Sequence, residues 1–262
     1  MTTHAHSGVS DRIELRPLEF LPSYYEQLDA GADILPRLSP KFSFAFLWSD
    51  ERGAAEFAGR YDEFDGYMAQ REPEGQRHHL DVGASDGTRE VALGYTTRDG
   101  KRLGTFMSAA WLDGEGRAER LFSARTLAFG DVDLTPATSV RTTSGALMRP
   151  FLKTMDEAPL EAVPTLGADL TFAILWSDDR GVHEFAGGME EYQGYLEQRE
   201  PEGQLHHVVQ VAAAGPLEVA LGYTTKYGDE LGTFLMFTEF DADEHVQRLM
   251  AARTLAFNPI WS

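Results

Sequence analysis

Cysteine is absent from the 262-residue chain. Disulfides, thiolate zinc sites, iron–sulfur clusters and cysteine nucleophiles are excluded together. Basic residues are scarce. There are 23 Lys and Arg against 42 Asp and Glu, a formal net charge of −19 and an isoelectric point near 4.7. Such a chain repels phosphate, which argues against nucleic-acid and anionic-membrane partners. No stretch approaches the ~20 consecutive apolar residues of a membrane helix. Met1 to Asp11 is polar and lacks the apolar centre of a signal peptide, so a cytoplasmic protein is the simplest expectation. His4 and His6 read as part of a solvated tail. No GxGxxG follows a strand, no GxxxxGK is present and no GxSxG makes a nucleophile elbow, which disfavours nucleotide-dependent and serine-hydrolase chemistry. No His/Asp/Glu set has convincing ligand spacing, so neither a metal nor another cofactor is expected.

What is present is repetition. Trp48-Ser49-Asp50 recurs as Trp176-Ser177-Asp178, Arg71 to Gln76 as Arg199 to Gln204, and Val91 to Thr97 as Val219 to Thr225. The offset is always 128, and aligning 42–129 with 170–257 without a gap gives 48 identities in 88 positions. A period of that length is a whole domain rather than a solenoid repeat. The reading is a flexible tail over 1–14, a first domain over 15–130, a linker over 131–144 and a second domain over 145–262. Related domains on one chain suggest a pseudo-dimer, as a monomer or as a homodimer of such chains.

Within one unit, Leu21, Tyr25 and Leu28 share a helical face that Gly31 ends. Phe42, Phe44, Phe46 and Trp48 alternate as a strand. Asp50 is then read as the cap of a helix carrying the stripe Phe57, Tyr61, Phe64 and Met68, repeated by Phe185, Met189, Tyr192 and Leu196. Segments near 77–84, 89–97, 103–112 and 118–128, separated by Asp/Gly turns, make an antiparallel meander. Helices set apart from such a meander give an α+β layout.

This order resembles the nuclear transport factor 2-like superfamily and, within it, the SnoaL-like group. The likeness rests on the aromatic strand, Gly53-Ala54-Ala55-Glu56-Phe57, a His opening the strand after Gly75-Gln76, and the Gly-Tyr-Thr-Thr…Asp-Gly hairpin. The resemblance implies two tandem cone-shaped (cystatin-like) domains. In each, a curved antiparallel sheet wraps helices around an apolar pocket. It also implies a polyketide cyclase, dehydratase or isomerase, or else a non-catalytic binder or scaffold, since the fold does not settle function.

The chemistry falls first on His78-His79 and His206-His207. Adjacent strand residues face opposite ways, so one of each pair can enter a pocket. The resemblance favours His79 as acid/base, with His207 in the second unit. Asp81, on the strand face assigned to His79, is a candidate orienter, replaced by Val209 in the second copy. Tyr24 and Tyr25 are candidate carbonyl donors, and the 128-residue offset matches them to Leu152 and Lys153. Trp48, Tyr67, Tyr95, Arg125 and Trp176 complete an expected lining for a small apolar carbonyl compound. Arg125 could contact a substrate carboxylate or phosphate, although a salt bridge across the pseudo-dimer is the other reading. The first unit is expected to be the active one.

Overall fold

A computed structural model describes residues 16–70, 75–129, 140–141, 147–198 and 203–257. The tail, most of the linker and Arg71 to Glu74 lie outside the described residues. The first unit runs α1 (Phe20–Asp29), β1 (Leu38–Asp50), β2 (Gly53–Arg60), α2 (Tyr61–Gln70), β3 (Gln76–Ser85), β4 (Arg89–Arg98), β5 (Lys101–Leu112) and β6 (Ala118–Thr126). The two-residue β7 (Val140–Arg141) falls within the expected linker. The second unit repeats the order as α3 (Met148–Glu157), β8 (Leu166–Asp178), β9 (Gly181–Gly187), α4 (Met189–Gln198), β10 (Gln204–Ala214), β11 (Leu217–Lys226), β12 (Asp229–Phe240) and β13 (Val246–Thr254).

The sheets are ordered β2-β1-β6-β5-β4-β3 and β7-β10-β11-β12-β13-β8-β9. All pairs are antiparallel except β1 with β6 and β8 with β13, so each sheet is mixed. The chain leaves β2 through α2 to the far edge, and the meander brings β6 back alongside β1. The hairpin turns follow the Asp/Gly signals, with Asp99 and Gly100 both at positive φ.

Two local expectations are corrected. Residues 53–60 form β2, not the start of a helix, so Phe57 and Phe185 sit on strands and the helices begin at Tyr61 and Met189. Asp50 lies at the β1–β2 hairpin, where its carboxylate accepts the Arg52 N–H at 2.8 Å, rather than capping a helix.

Each sheet has two greasy faces. The concave face of the first covers Phe20, Tyr25, Phe44, Phe64 and Phe106 under the helices, and the second unit repeats this with Phe151, Phe172, Tyr192 and Phe234. The outer faces pack on each other. Leu47, Val82, Leu93, Met107 and Phe122 share one core with Leu175, Leu221, Leu235, Phe237 and Met250. This is the pseudo-dimer. Its rim is stitched by hydrogen bonds. The Glu184 carboxylate accepts from Ser49 Oγ at 2.7 Å and Thr126 Oγ1 at 2.8 Å, and Glu56 accepts from Thr254.

The helix that matters for the site is fixed from the sheet. α1 has no side-chain cap of its own. Instead Glu90 of β4 accepts the Glu19, Phe20 and Leu21 N–H groups at 2.7, 2.9 and 2.8 Å, satisfying donors that a helix start leaves open. Glu218 holds α3 through Met148 in the same way.

Candidate functional site

With α1 held at its N-terminus, Tyr25 and Asp29, four residues apart, project from one face toward the sheet. Asp29 meets β3. Its carboxylate accepts the His78 N–H and lies 2.6 Å from His78 Nδ1. The ring of His78 stacks on Tyr25, centroids 4.5 Å apart, and stands edge-on to Phe106 at 5.3 Å. With Nδ1–H donating to Asp29, Nε2 is the accepting nitrogen, and the Gln76 amide nitrogen is 3.3 Å from it.

The Tyr25 hydroxyl enters a second network. It contacts Ser108 Oγ closely and Ser123 Oγ at 3.4 Å, the two serines are 2.9 Å apart, and Ser123 donates to the Met107 carbonyl at 3.2 Å. Burial pushes the Tyr25 phenol up to about 12, against the lowering effect of its serine partners. It is therefore a neutral donor at physiological pH.

Of these groups Tyr25, Gln76, His78, Phe106 and Ser123 line a cavity of about 310 Å³ in the first cone, together with Tyr24, Trp48, Tyr67 and Arg125. The equivalent cavity of the second cone is about 250 Å³. Trp176, Tyr195, Gln204, His206 and Arg253 line it at positions equivalent to Trp48, Tyr67, Gln76, His78 and Arg125. His206 keeps the carboxylate partner, with Nδ1 2.6 Å from Asp156. Among the described residues no group of three or more His, Cys, Asp or Glu side chains is placed to hold a metal ion.

The expectation that His79 faces the pocket is overturned. Its ring stacks on Tyr95 at 4.5 Å and Nε2 lies 3.1 Å from Thr97 Oγ1, on the outer face of the sheet. His207 does the same with Tyr223 and Thr225. The cause is a β-bulge: pairing shifts between Leu80 and Val82, leaving Asp81 as the extra residue. Val82 and Ala84 face the other unit, and the bulge inverts the alternation before them, turning His78 and Leu80 inward and His79 outward. Tyr95 goes outward with His79, and Arg102 lies over its ring at 4.2 Å. Asp81 thus stands in the bulge rather than on a regular face behind a catalytic His. Tyr24, Tyr25, Trp48, Tyr67, Arg125 and Trp176 do line the cones.

The match of Tyr24 and Tyr25 to Leu152 and Lys153 is also corrected. The carboxylates that bind the histidines are Asp29 and Asp156, 127 apart, because Asp156 lies one residue further from the start of β8 than Asp29 does from the start of β1. Tyr24 therefore corresponds to Phe151 and Tyr25 to Leu152, while Lys153 faces solvent near Glu157. Sequence reading missed Asp29, Ser108 and Ser123, and from the pair His78-His79 it favoured the member that faces outward. The spacing from Tyr25 to Asp29 was the available signal. In the second cone Leu152, Met236 and Ala251 replace Tyr25, Ser108 and Ser123, so all three hydroxyls are lost together.

No protein-family model matches the chain, and no curated protein does. Solved structures do, each over about half of it. A nuclear transport factor 2-like protein of unknown function from Cytophaga hutchinsonii is 15% identical over 47% of this chain and 97% of its own, with a TM-score of 0.33. Each unit is an α+β domain, a mixed sheet with two α-helices. An epoxide hydrolase of LEH type from M. tuberculosis is 14% identical over 41% of this chain and 80% of its own, TM-score 0.32. IdmH of Streptomyces antibioticus, a candidate polyketide cyclase, is 11% identical over 41% and 89%, TM-score 0.34. The likeness is one of fold alone. No helix among the described residues is long and apolar enough to cross a membrane.

Proposed function

We propose that the first unit is an acid/base catalyst acting on a small, largely apolar carbonyl compound, in a cyclisation, dehydration or isomerisation. The observation that carries this reading is the meeting of two proton-handling groups on one cavity wall: His78, oriented by Asp29, stacked on Tyr25, whose hydroxyl joins the serine pair. Asp29 fixes the tautomer that leaves Nε2 as base and would stabilise the imidazolium that forms when a carbon or hydroxyl proton is taken. The raised phenol of Tyr25 keeps its proton, which at rest goes to Ser108, whose own goes to Ser123 and on to the Met107 carbonyl; turned from Ser108 to a developing oxyanion, the same O–H would be its donor. The aromatic walls suit a flat guest. The second cone retains the Asp–His pair but has lost the hydroxyl cluster, which favours a binding role there.

The test is deuterium exchange at the α-carbon of a panel of aromatic ketones and β-diketones in heavy water. His78→Ala should abolish protein-dependent exchange and His79→Ala should retain it. Exchange that survives H78A, or is lost only in H79A, refutes the assignment.

A further inference from the structure

Arg125 and Arg253 stand at equivalent places on the cone walls, on β6 and β13 beside Trp48 and Trp176. A cross-unit salt bridge was one expectation for Arg125. No hydrogen bond or ion pair of either guanidinium is formed among the described residues, and in both the Nε atom is buried without an acceptor. The acidic side chains whose charge acts on them, Asp50 and Asp178, have other work: Asp50 accepts the Arg52 N–H, and Asp178 accepts the Arg180 N–H and bonds His183. Burial pulls both arginines below their ordinary range, with Asp50 opposing this at Arg125 and Tyr195 and Asp178 opposing it at Arg253. A guanidinium buried in the wall of each cone, present in both copies while the Tyr25–Ser108–Ser123 hydroxyls are present in one, is matched to something both cones admit. Its planar fork fits an oxyanion.

We propose that each cone binds a guest bearing a carboxylate or similar oxyanion, seated on Arg125 in the first unit and on Arg253 in the second. The chain then carries two anion sites of one chemistry. Only the statement that the first of them is also reactive rests on the function proposed above; binding at either does not. The anion sits at the arginine, its apolar body lies along the tryptophan and tyrosine of the wall, and in the first cone the other end reaches His78 and Tyr25.

The probe is 2-naphthoate, with neutral 2-naphthamide as its control, titrated calorimetrically into the full chain. Two sites are expected for naphthoate, with naphthamide roughly tenfold to hundredfold weaker, the weight of a hydrogen-bonded charge. Arg125→Met and Arg253→Met should each leave one site. Arg253→Lys, which keeps the charge and loses the fork, should bind more weakly at that site than the wild type, and it decides the case if the methionine variant does not fold. Equal affinity for acid and amide, or two unchanged sites in R253M, overturns the proposal. No turnover enters these readouts, so failure of the catalytic reading leaves them intact.

Discussion

Removing the Tyr25 hydroxyl should do opposite things to stability on the two sides of about pH 11. At neutral pH the phenol contributes hydrogen bonds to Ser108 and Ser123, and Tyr25→Phe forfeits them. The serines still bond each other at 2.9 Å and Ser123 still reaches Met107. Neither is left orphaned, so the loss is about 1 kcal/mol. At high pH the sign changes. The phenol titrates from the ordinary value of 10.0 when unfolded and at about 12 when folded. A raised folded value means stability that is fully present below pH 10 and drains away as pH rises toward 12. Two pH units are worth about 2.7 kcal/mol, and about half of that is gone by pH 11. Wild type should therefore be more stable than Tyr25→Phe at pH 8, equal to it near pH 11, and less stable at pH 12. Urea midpoints followed by tryptophan fluorescence between pH 8 and 12 measure the crossing, and tyrosinate absorbance reports the ionisation itself. Parallel curves for the two proteins would show that Tyr25 is not held in a burying site, and its proposed role as a neutral donor would go with it.

Two further outcomes concern the scaffold. Glu184→Ala should lower stability by about 1–2 kcal/mol, since two hydroxyl donors at a partly exposed rim lose a charged acceptor, while Glu184→Gln should recover more than half of that; equal losses in both variants, by chemical denaturation, would deny the bonds their role. Gly94→Ala should cost about 2–3 kcal/mol, because the new Cβ would lie 2.0 Å from the His79 carbonyl across the strand pair, and an unchanged urea midpoint would contradict that approach.

The strands and their turns were legible because alternation and Asp/Gly pairs speak locally. Asp99-Gly100 demands positive φ whatever surrounds it. Phe57 misled because its four-residue spacing to Tyr61 imitates a helical stripe across what is a strand-to-helix boundary. The histidines show a different limit. Alternation says that one of His78 and His79 turns inward, but which one depends on the bulge at Asp81, a two-strand property with no sequence marker here. The Ser108–Ser123 pair was unreadable for the same reason, since only the β5–β6 register brings those residues opposite each other.

The back-to-back packing of the two sheets constrains change on one surface and frees it on another. Residues such as Phe122 and Leu235 must suit a neighbour across the seam, so a substitution there has to be answered by a second one. Nothing across the seam leans on the hollow side. In an assembly of identical chains, every alteration to one cup would appear in its twin as well. A covalently doubled chain escapes that obligation: one cup can surrender a tyrosine and two serines while the other keeps them, and the shared spine does not register the difference.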